Sequence, residues 1–310
     1  MSTPGSAIRL QDVTCRYGAN AAVDGVALSV GKGEVFGLVG PDGAGKTTLI
    51  RLLCGLLRPA SGRVEVAGCD TVARAADLKR RIGYLSQRFS LYGDLTVEEN
   101  LDFFARLHAV RGHAPRKEEL LAFTRLGPFR DRLADRLSGG MKQKLALACT
   151  LIHRPEVIFL DEPTTGVDPV SRRDFWTILN ELHGTGITIL MATPYLDEAE
   201  RCSRVALLDH GRVLACDTPR ALRSGRRGPM VEVVCDRVRE AATAARGVPG
   251  VESVQQFGDR IHVGFRGAAP APEALAETLA AAGVTVRQVR AITPSLEDVF
   301  IEMVGTGREA

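Results

Sequence analysis

The first third of the chain is written in short apolar runs cut by glycine and proline. Ile8-Arg9-Leu10 and the run 23–30 come before Gly31-Lys32-Gly33, which predicts a few antiparallel strands over residues 8–36. Val35-Phe36-Gly37-Leu38-Val39 is apolar throughout, and Leu49-Ile50-Arg51-Leu52-Leu53 predicts a helix over 48–57, stopped by Arg58-Pro59. Residues 62–68 read as another short strand. From Thr96 to about His153 the period turns helical. Thr96-Val97-Glu98-Glu99 has the form of a capping box, and Leu101, Phe104, Ala105 and Leu107 keep one apolar face. The unbroken runs 157–160 and 187–191 fit parallel strands buried on both faces. Residues 205–208 and 212–215 predict a closing hairpin about Asp209-His210-Gly211.

The pattern breaks at 220–229, an arginine-rich stretch with glycines and a proline that reads as a solvated linker. Beyond it the order is strand 231–235, helix 237–246, strands 251–257 and 260–265, helix 272–282 and strand 284–290. This β-α-β-β-α-β order predicts a small ferredoxin-like α+β domain over 229–310. A last helix, 295–304, starts at Pro294-Ser295 with Glu297 and Asp298 in its first turn.

Composition changes this picture little. A length of 310 residues allows about two domains. A net charge of +3, with 25% charged residues, gives no electrostatic argument for a nucleic-acid partner. No apolar run reaches the roughly 18 residues that would suggest a membrane span. The start Met1-Ser2-Thr3-Pro4-Gly5-Ser6 lacks a charged-then-apolar signal, so a cytosolic chain is expected. The seven cysteines (Cys15, Cys54, Cys69, Cys149, Cys202, Cys216, Cys235) include no C-x-x-C pair and read as reduced, mostly buried thiols.

Chemistry enters at Gly40-Pro41-Asp42-Gly43-Ala44-Gly45-Lys46-Thr47-Thr48, between an apolar strand and a helix start. Glycines let backbone N–H groups close around phosphates, and the helix N-terminus adds a favourable dipole. In such a loop Lys46 reaches the β- and γ-phosphates and the Thr47 hydroxyl ligates Mg²⁺. The run 157–160 ends in Asp161-Glu162. Asp161 is expected to hold Mg²⁺ and its waters, while Glu162 points the other way and polarises an attacking water. Leu137-Ser138-Gly139-Gly140-Met141-Lys142-Gln143 stands at a helix start and is a second anion site. One nucleotide has no need of two such sites, so Ser138 and Gly140 are expected to address the nucleotide of another copy.

These residues resemble the ATP-binding subunit of ABC transporters over about 7–220. The resemblance implies a P-loop NTPase cassette over 1–222. Its parts are a parallel-sheet core, an antiparallel β subdomain and a helical subdomain at about 88–155. Residues 40–47 look like the Walker A motif, Gln87 in Leu85-Ser86-Gln87-Arg88 the Q-loop, and 137–143 the signature motif. Residues 157–162 look like Walker B with its catalytic glutamate, and Gly166-Val167-Asp168 the D-loop. Tyr17 sits where the family stacks an aromatic ring on adenine. Gln87 is implied to touch Mg²⁺ and the lytic water, and Ser138, Gly139, Gly140 and Asp168 to meet the nucleotide in trans. Ser90-Leu91-Tyr92-Gly93-Asp94-Leu95-Thr96 and Pro294-Ser295-Leu296-Glu297-Asp298-Val299-Phe300 further resemble the drug-efflux branch.

The implied protein is a peripheral ATPase on the cytoplasmic side of the cell membrane. It uses ATP and Mg²⁺, pairs with a second nucleotide-binding domain (itself or a related cassette) and drives a multispanning permease. One position departs from the family: Pro194 stands where a histidine normally meets the γ-phosphate. Proline has no side-chain donor, so slow hydrolysis is expected unless Thr193 or a partner cassette supplies the contact. The departure keeps open an ATP-binding regulatory subunit with weak turnover. A non-transport ABC ATPase is the other alternative, although the second cassette or long coiled-coil insertion usual in that class is missing.

Overall fold

A computed structural model describes residues 5–87, 91–225 and 228–307. Residues 1–4, Arg88 and Ser90 of the motif segments, and Arg226 and Arg227 of the arginine-rich stretch lie outside the described residues. The chain divides into two compact units, Met1–Cys216 and Asp217–Ala310.

The first unit runs β1 (Ser6–Tyr17), β2 (Asn20–Gly31), β3 (Val35–Val39), α1 (Lys46–Leu53), β4 (Ser61–Val66), β5 (Cys69–Asp70), α2 (Ala75–Arg81) and β6 (Ile82–Leu85). It continues with α3 (Val97–Leu107), α4 (Ala114–Phe123), α5 (Gly139–Leu151), β7 (Val157–Asp161), α6 (Pro169–His183), β8 (Thr188–Thr193), α7 (Leu196–Ala199), β9 (Arg204–Asp209) and β10 (Arg212–Asp217). An antiparallel sheet of order β2-β1-β4-β5 accounts for the alternating segments. The second sheet, of order β10-β9-β3-β8-β7-β6, is parallel from β9 to β6. Every residue of β3, β7 and β8 is buried, as unbroken apolar runs require of strands covered on both faces.

Helix α1 begins two residues before the expected 48 and ends four before 57. It stops because Gly55 turns the chain at φ +66°, where a Cβ would lie 2.8 Å from the Thr71 carbonyl oxygen. The Thr96/Glu99 capping box opens α3. Fully buried Asn100 ties down the segment before it, accepting from Tyr92 N at 3.0 Å and donating to Thr96 O at 2.8 Å. All seven cysteines are free, and only Cys216 is not buried.

The second unit runs α8 (Pro219–Ser224), β11 (Met230–Cys235), α9 (Val238–Arg246), β12 (Val251–Phe257), β13 (Arg260–Phe265), α10 (Pro272–Ala281), β14 (Val286–Ile292) and α11 (Leu296–Gly307). The arginine-rich stretch is therefore not all linker. Thr218 caps α8 by accepting from Ala221 N at 3.0 Å, and Pro219 and Leu222 are buried. The sheet order β12-β13-β11-β14, antiparallel at every step, is the split β-α-β arrangement. Val231, Val233, Ile261, Val263 and Phe265 pack with Ala241, Ala245 and Leu279 of α9 and α10. Strand alternation turns Glu232 and His262 to the other face, where Asp298 of α11 meets the His262 ring at 2.7 Å.

Candidate functional site: the phosphate loop and the strand ends beside it

Strands β3, β7 and β8 end level with one another: Val39 is registered with Thr193, and Asp161 with Ala192. Their successors therefore gather at one edge, outside the carboxyl ends of a parallel sheet, where such folds bind ligands. Gly40 and Gly45 fix the path of the loop. A Cβ at Gly40 would lie 2.3 Å from the Leu208 carbonyl oxygen, and one at Gly45 the same distance from that of Ala22. Gly45 caps α1 at φ +101° with no side chain on the helix's first amides, while Pro41, Asp42 and Gly43 are exposed. The result is an outward-facing turn of backbone donors ahead of a helix dipole.

Beneath this turn lies Lys46, only 4% exposed. Its Nζ donates to the carbonyls of Gly40 at 2.8 Å and Pro41 at 3.0 Å and pairs with Glu162 Oε1 at 3.3 Å. Thr47 Oγ1 donates to Asp161 Oδ1 at 3.0 Å. Strand alternation predicts that Asp161 and Glu162 diverge, but both reach the loop. The reason is local: Glu162 takes a left-handed φ of 51°, which ends the alternation and swings its carboxylate back to Lys46. Gln87 Nε2 donates to Glu162 Oε2 at 2.9 Å, so the structure brings Gln87 to the acid rather than leaving it apart.

Burial holds the Asp161 carboxyl above its ordinary range, with the Glu162 charge adding to the effect and the Thr47 hydroxyl opposing it. Tyr84, which sequence reasoning missed, donates its OH weakly to Asp161 Oδ2 at 3.5 Å, and burial together with Asp161 pushes that phenol up to about 12. Its only signal in the sequence was its place in an apolar run. Burial and Asp161 also raise the Cys54 thiol, leaving it an inert wall.

The Pro194 corner closes the edge behind these acids. Thr193 was a possible substitute for the missing histidine, but it is fully buried and donates to Glu198 Oε2 at 2.7 Å, turned away from solvent. Thr164 Oγ1 donates to Glu198 Oε1 at 2.6 Å. Glu198, itself 1% exposed, was likewise not singled out from the sequence.

The remaining expected residues lie at helix starts and a hairpin tip. Ser138 caps α5, accepting from Met141 N at 3.3 Å, and Asp168 caps α6, accepting from Val170 N and Ser171 N. Gly139 faces open space, whereas a Cβ on Gly140 would strike the Ser171 side chain at 2.4 Å. The signature glycine thus lets α5 and α6 approach, and Ser171 joins the two helix starts. Hydrogen bonds to Ser171 hold Asp168 below its usual range. Among the described residues no hydrogen bond or ion pair links Ser138 or Asp168 to the phosphate loop of the same chain. Tyr17, half exposed, ends β1 opposite Asn20, on the hairpin whose Ala22 carbonyl touches Gly45. Thr48 lies in the first turn of α1.

Residues 23–165 match the ABC transporter family, and 218–304 match the C-terminal domain of DrrA1-3-like ATP-binding proteins. The chain is 39% identical over 308 residues to the daunorubicin resistance ATP-binding protein DrrA2 of Streptomyces coeruleorubidus, covering 97% of this chain and 96% of that one. It is 43% identical over 289 residues to the probable multidrug ABC transporter ATP-binding protein YbhF of Escherichia coli, covering 92% of this chain. It spans about half that relative's length (49%). Among solved structures, the ATP-binding subunit of an ABC transporter superposes with a TM-score of 0.64 at 30% identity, over 71% of this chain and 92% of that one. A dimeric ATP-binding cassette in a post-hydrolysis state, bound to ADP and Pi, gives 0.62 at 27%, over 68% and 98%. A relative matched almost end to end accounts for the loop, the strand-end acids and the second unit together: the chain belongs to the ATP-binding proteins of ABC transporters.

Proposed function

We propose that the chain is the ATP-hydrolysing subunit of a drug or hydrophobic-compound exporter. Two cassettes clasp two ATP molecules head to tail, and the cycle of closing and opening drives a separate multispanning permease from the cytoplasmic side. The observation that carries the reading is the meeting of loop and strand end, with Lys46 at 3.3 Å from Glu162 and Thr47 at 3.0 Å from Asp161. In this reading the loop amides of residues 40–48 and Lys46 bind the phosphates, and Tyr17 stacks on the adenine. Glu162 takes a proton from water that Gln87 helps to orient. Ser138, Gly139, Gly140 and Asp168 address the nucleotide of the other cassette.

The donor set suits Mg²⁺: Thr47 and Asp161 offer hard oxygens side by side, and a buried carboxylate gains from a cation beside it. Thr47, Asp161 and Gln87 would hold the ion, which supplies charge neutralisation at the phosphates. The names of DrrA2 and YbhF support the efflux assignment, and the dimeric cassette supports the clasp. Among the described residues no helix is long and apolar enough to cross a membrane, in keeping with a separate permease. The Pro194 corner, with Thr193 turned to Glu198, favours slow basal turnover.

The test is phosphate release by the purified chain with ATP, with and without Mg²⁺, alongside daunorubicin accumulation in cells that co-express the chain and the permease. Mg²⁺-dependent release and lowered accumulation are expected, both lost in Lys46→Ala. Release without export in the presence of the permease would leave an ATPase and refute the efflux assignment.

A further inference from the structure

Helix α7 is a single turn, yet it places a carboxylate in the interior where no motif demands one. Glu198 is filled by two hydroxyls, Thr164 Oγ1 at 2.6 Å on one oxygen and Thr193 Oγ1 at 2.7 Å on the other. Arg172 Nε lies 3.6 Å from the first oxygen. The two threonines come from different strand ends. Thr164 follows Glu162 by two residues, and Thr193 closes β8 level with Val39, the last residue before the phosphate loop. The corner is tied further by Tyr195 N, which donates across Pro194 to Thr193 Oγ1 at 3.0 Å. The Arg172 guanidinium stacks 4.3 Å over the Tyr195 ring. Arg172 stands in the first turn of α6 and donates its amide to the carbonyl of Asp168 at 2.9 Å.

Three segments thus meet on one buried carboxylate: the turn after Glu162, the Pro194 corner and the start of α6. A carboxylate stays out of water only where its acceptor sites are filled, and a residue needed for packing alone would carry no charge here. Glu162, meanwhile, holds a left-handed φ of 51° that a non-glycine residue keeps only when its surroundings enforce it. Its amide is anchored to Ala192 O at 3.0 Å, and its turn is closed by Thr165 N donating to Glu162 O at 3.2 Å. Lys46 and Gln87 hold its carboxylate, and Thr164 ties the turn itself to the Pro194 corner through Glu198. We propose that Glu198 is a positioning residue for hydrolysis, clamping Thr164 to Thr193 so that the Glu162 carboxylate faces the phosphate loop. The inference rests on the reading of Glu162 as the base, and it assigns to the Pro194 corner a rigid mechanical role in place of a phosphate contact.

The experiment measures turnover at saturating ATP, and affinity for a fluorescent ATP analogue, in Glu198→Gln and Thr164→Val on the parent and on Glu162→Gln. An amide accepts from one threonine only, so the other must turn to accept from the amide N–H. One charge-assisted bond becomes a neutral, reversed one and Arg172 loses its carboxylate, while the shape remains. Glu198→Gln is expected to lower turnover roughly 10- to 100-fold, the scale of a misplaced catalytic group, with affinity changed less than about threefold. Thr164→Val should act in the same direction, and neither change should lower the residual rate of Glu162→Gln further. Parental turnover in folded Glu198→Gln overturns the proposal. An equal added loss on the Glu162→Gln background, or a loss of affinity matching the loss of turnover, does so as well. Should Glu198→Gln not fold, Thr164→Val decides by the same criteria. Parental turnover in Glu162→Gln alone overturns the reading of Glu162 itself and the proposal with it.

Discussion

Each unit buries a pair of acids, and the two pairs are balanced in opposite ways. In the first, Asp161 and Glu162 face a single lysine, with hydroxyls and an amide completing the set, and the Asp161 carboxyl is held up by burial. In the second, a row crosses the sheet: Gln255, His262, Glu232 and Arg290 are registered neighbours on four strands. Glu232 is met by Arg290 at 2.7 Å, Arg260 at 3.2 Å and His262 at 3.4 Å, and Asp298 by His262 and Ser295 at 2.7 Å. The Arg290 contact, with Arg260 and His262 behind it, holds Glu232 low. At Asp298 burial works upward but is outweighed by His262 and Ser295. A cluster that neutralises itself fastens α11 to the sheet. A cluster left with spare carboxylate beside a phosphate loop suits the ATP that cassettes of this family bind, and the proposed Mg²⁺ with it.

The sharpest test of this contrast is Glu162→Gln, which keeps the shape of the first cluster and removes its proposed base. Turnover should fall about 10²–10⁴-fold, the usual worth of a general base, while an ATP-bound dimer persists in light scattering. A variant that stays monomeric under saturating ATP, when the parent dimerises, would count against the shared site. Next in size is Pro194→His. Restoring a donor near developing charge should raise turnover by up to about 10²–10³-fold, with ATP affinity little changed. Equal turnover in folded parent and variant would make proline neutral at this corner. Lys46→Ala should weaken nucleotide binding by about 1.5–3 kcal/mol, the worth of a charge-assisted contact, as read by titration with a fluorescent ATP analogue.

The smallest effect belongs to the second cluster. Asp298→Asn should destabilise the Asp217–Ala310 unit by about 1–3 kcal/mol in denaturant melts, leaving ATP affinity unchanged. Its pH dependence has two limbs. Burial pulls His262 down, but Asp298 and then Glu232 outweigh it and hold the ring above its ordinary value. That contribution is complete below the unfolded value and fades as pH rises through the raised folded one. Glu232 and Asp298, both held low, contribute fully above their unfolded values and lose the contribution as pH falls through the lowered ones. This unit should therefore be most stable between about pH 4.5 and 6.5, the window left by the unfolded carboxyl and imidazole values, and lose stability on either side. A shallower profile in Asp298→Asn than in the parent is the expected signature, since Glu232 keeps its Arg290 and Arg260 contacts.

Much of this was legible in the chain because it is local. The loop 40–48 is one consecutive stretch, the acids end one apolar strand, and Thr96 with Glu99 spell out their own cap. Where reading failed, a distant partner had decided. Helix α1 stops early at Gly55 because the Thr71 carbonyl closes on it, and α8 forms inside an apparent linker because Pro219 and Leu222 find something to bury against. Alternation sent Glu162 away from the loop, and only its left-handed backbone brings it back.

By itself the sequence determined the phosphate loop, which needs its glycines, lysine and threonine in one short run whose spacing the backbone enforces, and from it the residues proposed to carry the chemistry. It also determined the main buried strands and the β-α-β-β-α-β order of the second unit, through hydrophobic period, but not α2, β6, α6 or α8. Only the tertiary structure decided how those residues meet: Lys46 on Glu162, Gln87 on the same acid, and Thr164, Thr193 and Arg172 around Glu198. The physical reason is that a buried polar group must find its partners wherever the fold brings them. Those partners stand at other strand ends, far along the chain, where no local pattern records them.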